Sequence, residues 1–275
     1  FDNEVTNAAV MVVDVASSEI IARVGSANFF DTRNAGQVDI CTARRSPGST
    51  LKPFTYAFAI EENCLYPTER LLDDALDMGR YHPENFEGDY YGLVSVKDAL
   101  RYSLNIPAVL ALNRIGVESF WGRLRDMGLS TLYKPAQYYG LGSTLGGCEV
   151  RLDEMITAYR MLADMGRFRP LRVLADDSNS APPRQLLSAG TAAMLYDMLE
   201  QPFPREPDDG LPRARGPLPR VCWKTGTSAG YHDAWTFAFN RQYVVGVWLG
   251  NNNAHASRRL VGARAALPLA AAIFR

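Results

Sequence analysis

The chain has 275 residues, of which 47 % are hydrophobic and 21 % are charged, and its formal net charge is −1. This composition is ordinary for a soluble folded protein, and the length suffices for one large domain or two unequal lobes around a shared core. The near-zero charge argues against nucleic acid as a partner, and no apolar stretch reaches the roughly 18 residues of a membrane span.

The N-terminal part of the chain predicts a β-hairpin. Residues 8–15 are rich in β-branched side chains, and a similar run at 20–24 follows a short polar turn. Residues 25–45 have the composition of a loop. We therefore expect the hairpin to lie at the edge of a sheet.

The middle of the chain predicts helices. The apolar stretch at 53–60 suits a helix, and Ser49 lies at its start, directly after a proline–glycine pair. Residues 96–115 have a helical period that is interrupted at 105–107, where a proline disfavours helix in the residue before it. Further amphipathic helices are predicted at 117–127, 152–165 and 191–200.

The C-terminal part returns to strands. Six prolines at 201–220 predict a loop or mobile flap. Three strands (221–227, 234–239 and 243–249) and a closing helix (263–274) follow.

The order of these elements predicts an α/β fold of the α+β kind within one domain, residues 1–275. Its central antiparallel sheet, flanked by helices, should draw on residues of about 1–45 and 185–275, and a helical lobe should comprise about 60–184.

The first motif of chemical interest is Ser49-Thr50-Leu51-Lys52. On a helix, residues three apart share a face, so Lys52 can reach the Ser49 hydroxyl. A serine is a poor nucleophile unless an adjacent base takes its proton. Lysine can serve as that base only if burial or a nearby cation lowers its pKa by about 3 units. Alone, the motif equally describes a helix-capping serine and a solvated lysine.

The second motif is Ser103-Leu104-Asn105, at the predicted break between two helices. Ser103 could relay a proton and Asn105 could bind a substrate amide. Helix capping explains the same residues when they are considered alone.

The third motif is Lys224-Thr225-Gly226-Thr227, on a predicted strand. Residues alternate between the two faces of a strand, so Lys224 and Gly226 should share one face. Gly226 leaves room for another backbone or a substrate to come close. Considered alone, the motif also suits an edge strand that a lysine protects from aggregation.

Together, the three motifs resemble the signature of penicillin-binding proteins and serine β-lactamases. The flanking sequences most resemble the transpeptidase domain of class A, bifunctional penicillin-binding proteins, in particular the 1C type. The resemblance rests on the stretches Arg45–Phe54, Ala99–Ala108, Leu145–Val150, Trp223–Ser228 and Gly230–Trp235, and it extends from residue 8 to about residue 270.

The resemblance implies a peptidoglycan D,D-transpeptidase. Ser49 would attack a D-alanyl-D-alanine donor stem peptide and form an acyl-enzyme, with Lys52 as its base. Ser103 would pass a proton to the leaving amine, and Lys224 would polarise Ser103. The catalytic set would thus be Ser49, Lys52, Ser103, Asn105 and Lys224.

The resemblance also implies the substrate-binding groups. The backbone N–H groups of Ser49 and Thr227 would form the oxyanion hole, and the terminal carboxylate would bind Thr225 or Thr227 with Ser228. Gly226 would belong to the same site. Which threonine hydroxyl binds the carboxylate remains open at this point.

The same resemblance implies stem peptides with an amine acceptor, and β-lactams, as partners. It implies a longer parent protein with a glycosyltransferase domain and a membrane anchor, at the periplasmic face of a bacterial inner membrane. A D,D-carboxypeptidase, a β-lactam sensor and a β-lactamase stay open as alternatives, although no E-x-x-L-N pattern typical of class A β-lactamases occurs.

The remaining polar residues predict no further chemistry. Histidines and cysteines are scattered without metal-ligand spacing, so we expect neither a metal nor a cofactor. His232 should lie at the rim of the site. The Asp73-Asp74 pair is interpreted as a solvated loop or cap pair.

Overall fold

The structure is a computed structural model that describes residues 4–79, 81–173, 182–204 and 220–274. No helix within these ranges has the length and apolar character needed to cross a membrane. Of the predicted loop at 201–220, residues 205–219 lie outside the described residues.

A five-stranded antiparallel sheet in the order β2-β1-β9-β8-β7 forms the centre of the described chain. Strand β1 pairs with β9 along its whole length, which joins the N-terminal hairpin to the C-terminal strands and confirms the predicted α+β arrangement. Strand β7 is one edge of the sheet. The strand bounds are β1 Asn7–Asp14, β2 Ile20–Val24, β7 Cys222–Thr227, β8 Asp233–Phe239 and β9 Tyr243–Gly250.

Helices cover both faces of the sheet. On β8, the aromatic residues Trp235, Phe237 and Phe239 belong to a core cluster shared with α1 and α6, whereas Ala234 and Ala238 belong to a second cluster under α8. This alternation follows the two-residue period of a strand. Each buried aromatic ring contributes about 1.5–3 kcal/mol to stability. The three helices are α1 Lys52–Glu61, α6 Leu152–Ala163 and α8 Gly262–Ile273.

The other long helices agree with the predictions in kind and differ in their ends, whereas the four-residue helix at 136–139 was not predicted. The predicted interruption at 105–107 lies at 102–104 instead. Pro107 is in the first turn of its helix, where a missing N–H removes no helical hydrogen bond. The bounds are α2 Val96–Arg101, α3 Asn105–Ile115, α4 Val117–Asp126, α5 Ala136–Tyr139 and α7 Ala189–Leu199.

Two small strand pairs were not expected from the sequence. Each strand is only two to four residues long, which is too short for a period to separate it from a loop. The first pair encloses the segment 74–91, which reaches the site described below. The pairs are β3 Arg70–Asp73 with β4 Gly92–Ser95, and β5 Arg167–Phe168 with β6 Arg184–Gln185.

Candidate active site

Ser49 lies in a 3-10 turn, Gly48–Leu51, that continues directly into α1. Residues three apart are eclipsed in a 3-10 turn, so Ser49 and Lys52 share a face, as expected. The α-helix itself begins at Lys52, three residues after Ser49. Within the described chain, no hydrogen bond joins the Ser49 hydroxyl to the Lys52 ammonium.

The Lys52 ammonium is completely buried and connects α1 to the second motif. Its Nζ donates to the backbone oxygen of Ser103 at 2.5 Å and to Oδ1 of Asn105 at 2.6 Å, and it lies 3.5 Å from the Ser103 hydroxyl. Lys52, Ser103 and Asn105 were expected to share one catalytic site, and in the structure Lys52 contacts both of the other residues.

Ser103 also contacts the third motif. The Lys224 Nζ donates to the Ser103 hydroxyl at 2.8 Å and to the Thr225 backbone oxygen at 2.8 Å. Ser103 has a φ of +59°, an uncommon conformation for a residue with a side chain, in the short link between α2 and α3. Two lysines from distant parts of the chain therefore face one serine hydroxyl.

The surroundings of these lysines disfavour their charged forms. Burial, aided by the nearby Lys224 ammonium, holds the pKa of Lys52 well below its ordinary value, and the carboxylate of Asp73 opposes this shift. Burial lowers the pKa of Lys224 to about 7. The lowered pKa of Lys52 favours its neutral amine, which is the property that the sequence analysis required of this residue.

Close backbone contacts hold the turn of Ser49 against the edge strand. A Cβ added to Gly226 would lie 2.4 Å from the Pro47 oxygen, and one added to Gly48 would lie 2.3 Å from the Thr227 oxygen. On the other side of β7, a Cβ on Gly262 would lie 2.5 Å from the Gly226 oxygen. The absence of a side chain at Gly226 therefore lets the backbone of Pro47 lie close to β7, as predicted from the place of this glycine in the motif.

Two hydroxyl groups at the end of β7 accept backbone hydrogen bonds. Oγ1 of Thr227 accepts from Gly262 N–H at 3.0 Å, and Oγ of Ser228 accepts from Asp233 N–H at 2.8 Å. Each hydroxyl keeps its own proton to donate, and a carboxylate is a pure acceptor. Thr225 lines the same cleft beside them.

The backbone of β7 directs alternate N–H groups away from the sheet, and Thr227 carries one of them. Ser228 N–H donates to Asp233 on the β8 side. Because N–H groups alternate in direction along a strand, the N–H of Thr227 points to the free edge. Gly48 approaches that nitrogen, so the edge lies next to the turn that carries Ser49.

Seven of the nine predicted site residues line one cleft of about 1150 Å³, and the buried Lys52 and Lys224 contact its Ser103. A second wall comes from the segment between β3 and β4, and two arginines lie near the start of α8. The cleft is lined by Ser49, Ser103, Asn105, Thr225, Gly226, Thr227 and Ser228, by Asn85, Phe86, Glu87, Asp89 and Tyr91, and by Arg258 and Arg264 among others.

The interpretation of Asp73 as solvated was wrong. Asp73 is completely buried at the end of β3, and its carboxylate accepts hydrogen bonds from the Asn85 side chain and from Tyr91 N–H. Only Asp74 is exposed. No sequence signal pointed to Asn85, since its contacts depend on the β3–β4 pair.

Other candidate groups lie outside this arrangement. The His232 ring contacts the Ala254 oxygen at 2.8 Å, next to the turn after β7. Cys41, Cys148 and Cys222 are buried free thiols, and Cys64 is partly buried and also free. Among the described residues, no group of three or more His, Cys, Asp and Glu side chains could hold a metal ion.

Gly226→Ala is expected to destabilise the protein by about 1–3 kcal/mol, because the new methyl group would overlap the Pro47 oxygen and force β7 away from the turn. Thermal unfolding measures the change. Gly122→Ala is the matched control, since a Cβ at this position in α4 meets no atom within 4 Å. Equal melting temperatures for the wild type and Gly226→Ala would contradict the close contact.

The family comparison covers nearly the whole chain. Residues 8–274 match the family model described as the penicillin-binding protein transpeptidase domain. The chain is 36 % identical over 261 residues to penicillin-binding protein 1C of Escherichia coli (strain K12), which covers 95 % of this chain and 33 % of that protein. It is 29 % identical over 278 residues to penicillin-binding protein 1A of Aquifex aeolicus (strain VF5), covering 94 % of this chain and 36 % of that one. The chain thus spans about a third of these relatives.

Solved structures share the fold. The penicillin-binding protein PonA1 of Mycobacterium tuberculosis superimposes with a TM-score of 0.79 at 20 % identity, covering 99 % of this chain and 77 % of that one. Penicillin-binding protein 1A of Haemophilus influenzae gives a TM-score of 0.78 at 18 % identity, covering 98 % of this chain and 47 % of that one. PonA1 has also been solved in complex with penicillin V.

Proposed function

Since the chain belongs to the penicillin-binding protein transpeptidase family, we propose that it is a serine-type D-alanyl-D-alanine transpeptidase that cross-links peptidoglycan stem peptides. The observation that carries this proposal is the contact of Lys52 and Lys224 with one serine, Ser103, in the cleft that Ser49 lines. Two buried lysines around a serine provide a base and a cation for proton transfer.

Acylation begins at Ser49. Its Oγ attacks the carbonyl carbon of the penultimate D-alanine, and the neutral amine of Lys52 takes the hydroxyl proton. The lowered pKa of Lys52 favours this neutral form. The carbonyl π-electrons move to oxygen, and a tetrahedral intermediate forms.

Collapse of the intermediate breaks the C–N bond to the terminal D-alanine. The Ser103 hydroxyl gives its proton to the leaving nitrogen and is reprotonated from Lys52, with which it lies in contact. Lys224 donates a hydrogen bond to the same hydroxyl and stabilises the negative charge that develops on it. Asn105 keeps Lys52 in place through its Oδ1.

The oxyanion hole consists of the backbone N–H groups of Ser49 and Thr227. The Thr227 N–H points to the free edge of β7, and the turn of Ser49 packs against this edge. Preorganised donors of this kind contribute roughly 3–4 kcal/mol each to the transition state. The short backbone contacts at Gly48 and Gly226 set the distance between the Ser49 and Thr227 N–H groups.

The terminal carboxylate of the donor binds the hydroxyl groups of Thr225, Thr227 and Ser228. Thr227 and Ser228 already accept backbone N–H groups, so their protons are directed to a further acceptor. Penicillin carries an equivalent carboxylate beside its strained amide, and it acylates Ser49 by the same route. An amine of a second stem peptide then takes the acyl group and completes the cross-link.

The relatives are about three times longer than this chain, so the domain functions within a larger protein. That parent carries a glycosyltransferase domain and a membrane anchor, and it holds the transpeptidase domain at the periplasmic face of a bacterial inner membrane. The required components are two stem peptides, and no cofactor or metal enters the reaction.

A time course with a fluorescent penicillin, followed by addition of a donor stem peptide and an amine acceptor to fresh enzyme, tests this function. The expected result is a persistent penicillin label and, with the donor and acceptor, a product in which the donor peptide is joined to the acceptor amine and D-alanine is released. Label lost within seconds would indicate a β-lactamase, and donor hydrolysis without cross-linking would indicate a carboxypeptidase. A persistent label without hydrolysis or cross-linking of the donor would indicate a β-lactam sensor.

A further inference from the structure

The buried carboxylate of Asp73 anchors the segment that forms one wall of the cleft. Both carboxylate oxygens accept hydrogen bonds from Nδ2 of Asn85, at 2.8 and 2.9 Å, and one of them also accepts from Tyr91 N–H at 2.9 Å. Nδ2 of Asn85 further donates to the Asp89 oxygen at 2.9 Å. Asp73 therefore holds the start and the end of the segment 85–91.

This anchor fixes the orientation of the Asn85 amide. A carboxylate only accepts hydrogen bonds, so the NH₂ side of Asn85 must face Asp73 and the carbonyl side must face away. The carbonyl oxygen then accepts from the backbone N–H of Asn105 at 2.7 Å, at the first residue of α3. Asp73 and Asn85 are completely and largely buried, respectively, so water competes little for these bonds.

Asn105 is held from two sides. Its N–H binds Asn85, and its Nδ2 donates to the Glu84 oxygen at 2.6 Å. The latter bond directs the Asn105 Oδ1 to the Lys52 ammonium, from which it accepts a hydrogen bond at 2.6 Å. A continuous chain of hydrogen bonds thus joins Asp73 to Lys52 through two asparagines.

The charges around Lys52 come from two directions. Lys224 on β7 faces it and disfavours its ammonium form, whereas Asp73 on β3 favours that form. Tyr56 on α1 interacts with Asp73, and burial raises the pKa of its hydroxyl, so it stays neutral. Asp73 is the one negative charge in this balance among the described residues.

We propose that Asp73 and Asn85 are positioning residues for acylation at Ser49, because through Asn105 they hold Lys52 in place. The Asp73 carboxylate also favours the protonated form of Lys52. This inference rests on the proposed function. It adds two residues to those that the three sequence motifs contain, and it gives a role to the buried carboxylate of Asp73.

The test uses Asp73→Asn, the exchanged pair Asp73→Asn with Asn85→Asp, and Asp74→Asn as a matched control, because Asp74 is the exposed neighbour. The rate of acylation by a fluorescent penicillin is measured against pH for each, and circular dichroism confirms folding. The exchange restores a donor facing an acceptor, since the amide placed at position 73 donates to the carboxylate placed at position 85, which still accepts Asn105 N–H. The Asp89 oxygen loses its donor at position 85, so the recovery is expected to be incomplete.

In Asp73→Asn, the new NH₂ group opposes Nδ2 of Asn85, while the remaining side-chain oxygen can still accept from Tyr91 N–H, so the maximal rate should fall by about tenfold to a hundredfold. The acid limb of its pH profile should move to lower pH, because the charge that favoured protonated Lys52 is gone. The exchanged pair should recover most of the rate and return the limb to or above its wild-type position. Asp74→Asn should match the wild type.

An unmoved acid limb in Asp73→Asn, or no recovery in the exchanged pair, would overturn this proposal while leaving the transpeptidase function intact. If Asp73→Asn does not fold, the exchanged pair still decides the matter, since it must then fold and acylate. A wild type that penicillin does not acylate would overturn the proposed function and this inference with it.

Discussion

Ser49→Ala is expected to abolish covalent labelling by penicillin, with a fall in the acylation rate of roughly 10⁶-fold, as for other serine nucleophiles. The substitution removes the only atom that can form the ester and leaves the lysines and the oxyanion donors in place. Its effect on stability should stay within about 1 kcal/mol, since the side chain is only partly buried. Intact-mass analysis after incubation measures the label.

Ser46→Ala is the matched control for this variant. Ser46 lies three residues earlier, and its hydroxyl donates to the Gly146 oxygen at 2.9 Å, away from the lysines. It should label like the wild type, apart from a modest effect of the lost hydrogen bond on stability. Equal labelling of Ser49→Ala and the wild type would remove Ser49 from the mechanism.

Lys52→Met is expected to slow acylation by roughly 10²–10⁴-fold, because no neutral amine remains to take the Ser49 proton. Methionine fills a similar buried volume without a charge. It leaves the oxygens of Ser103 and Asn105 without their donor, at a cost of about 1–3 kcal/mol each. Circular dichroism checks that the variant folds, and the second-order acylation rate reports the loss of the base.

Lys97→Met is the matched control for the loss of a lysine. Lys97 lies on α2 and pairs with the exposed Asp197 at 2.6 Å. Exposed ion pairs contribute about 0–1 kcal/mol, so this variant should acylate at the wild-type rate. A Lys52→Met protein that acylates as fast as Lys97→Met would show that another group takes the Ser49 proton.

The three motifs were predictable because each is local. The relation of Ser49 to Lys52 follows from one turn of helix, and the place of Gly226 follows from the absence of a side chain. Their meeting was predictable only through the resemblance to a known family. In physical terms it depends on β1 pairing with β9 and on the break before α3, which are contacts between distant parts of the chain.

The role of Asp73 could not be predicted in the same way. Two adjacent aspartates in a polar stretch ordinarily lie in solvent. Asp73 is buried because the short β3–β4 pair folds the segment 74–91 back over it and supplies Asn85. A four-residue strand leaves little periodicity in the sequence, so the sequence predicted neither the β3–β4 pair nor the contact between Asp73 and Asn85.

The stretch that carries Ser49 has a geometry that the sequence indicates only in outline. A proline and a glycine precede Ser49, which agrees with a turn. Only the structure shows that Gly48 has a φ of +52° and touches the Thr227 backbone. The same short contact places Ser49 beside the edge of β7, where the Thr227 N–H is proposed to bind an oxyanion.

The most direct test of this mechanism is to incubate the wild-type protein with penicillin, digest it, and locate the added mass by tandem mass spectrometry. We predict one penicilloyl group per chain, attached to Ser49. An adduct on Ser46, Ser103 or any other residue, or no adduct at all, would contradict the central claim that Ser49 is the nucleophile of this transpeptidase.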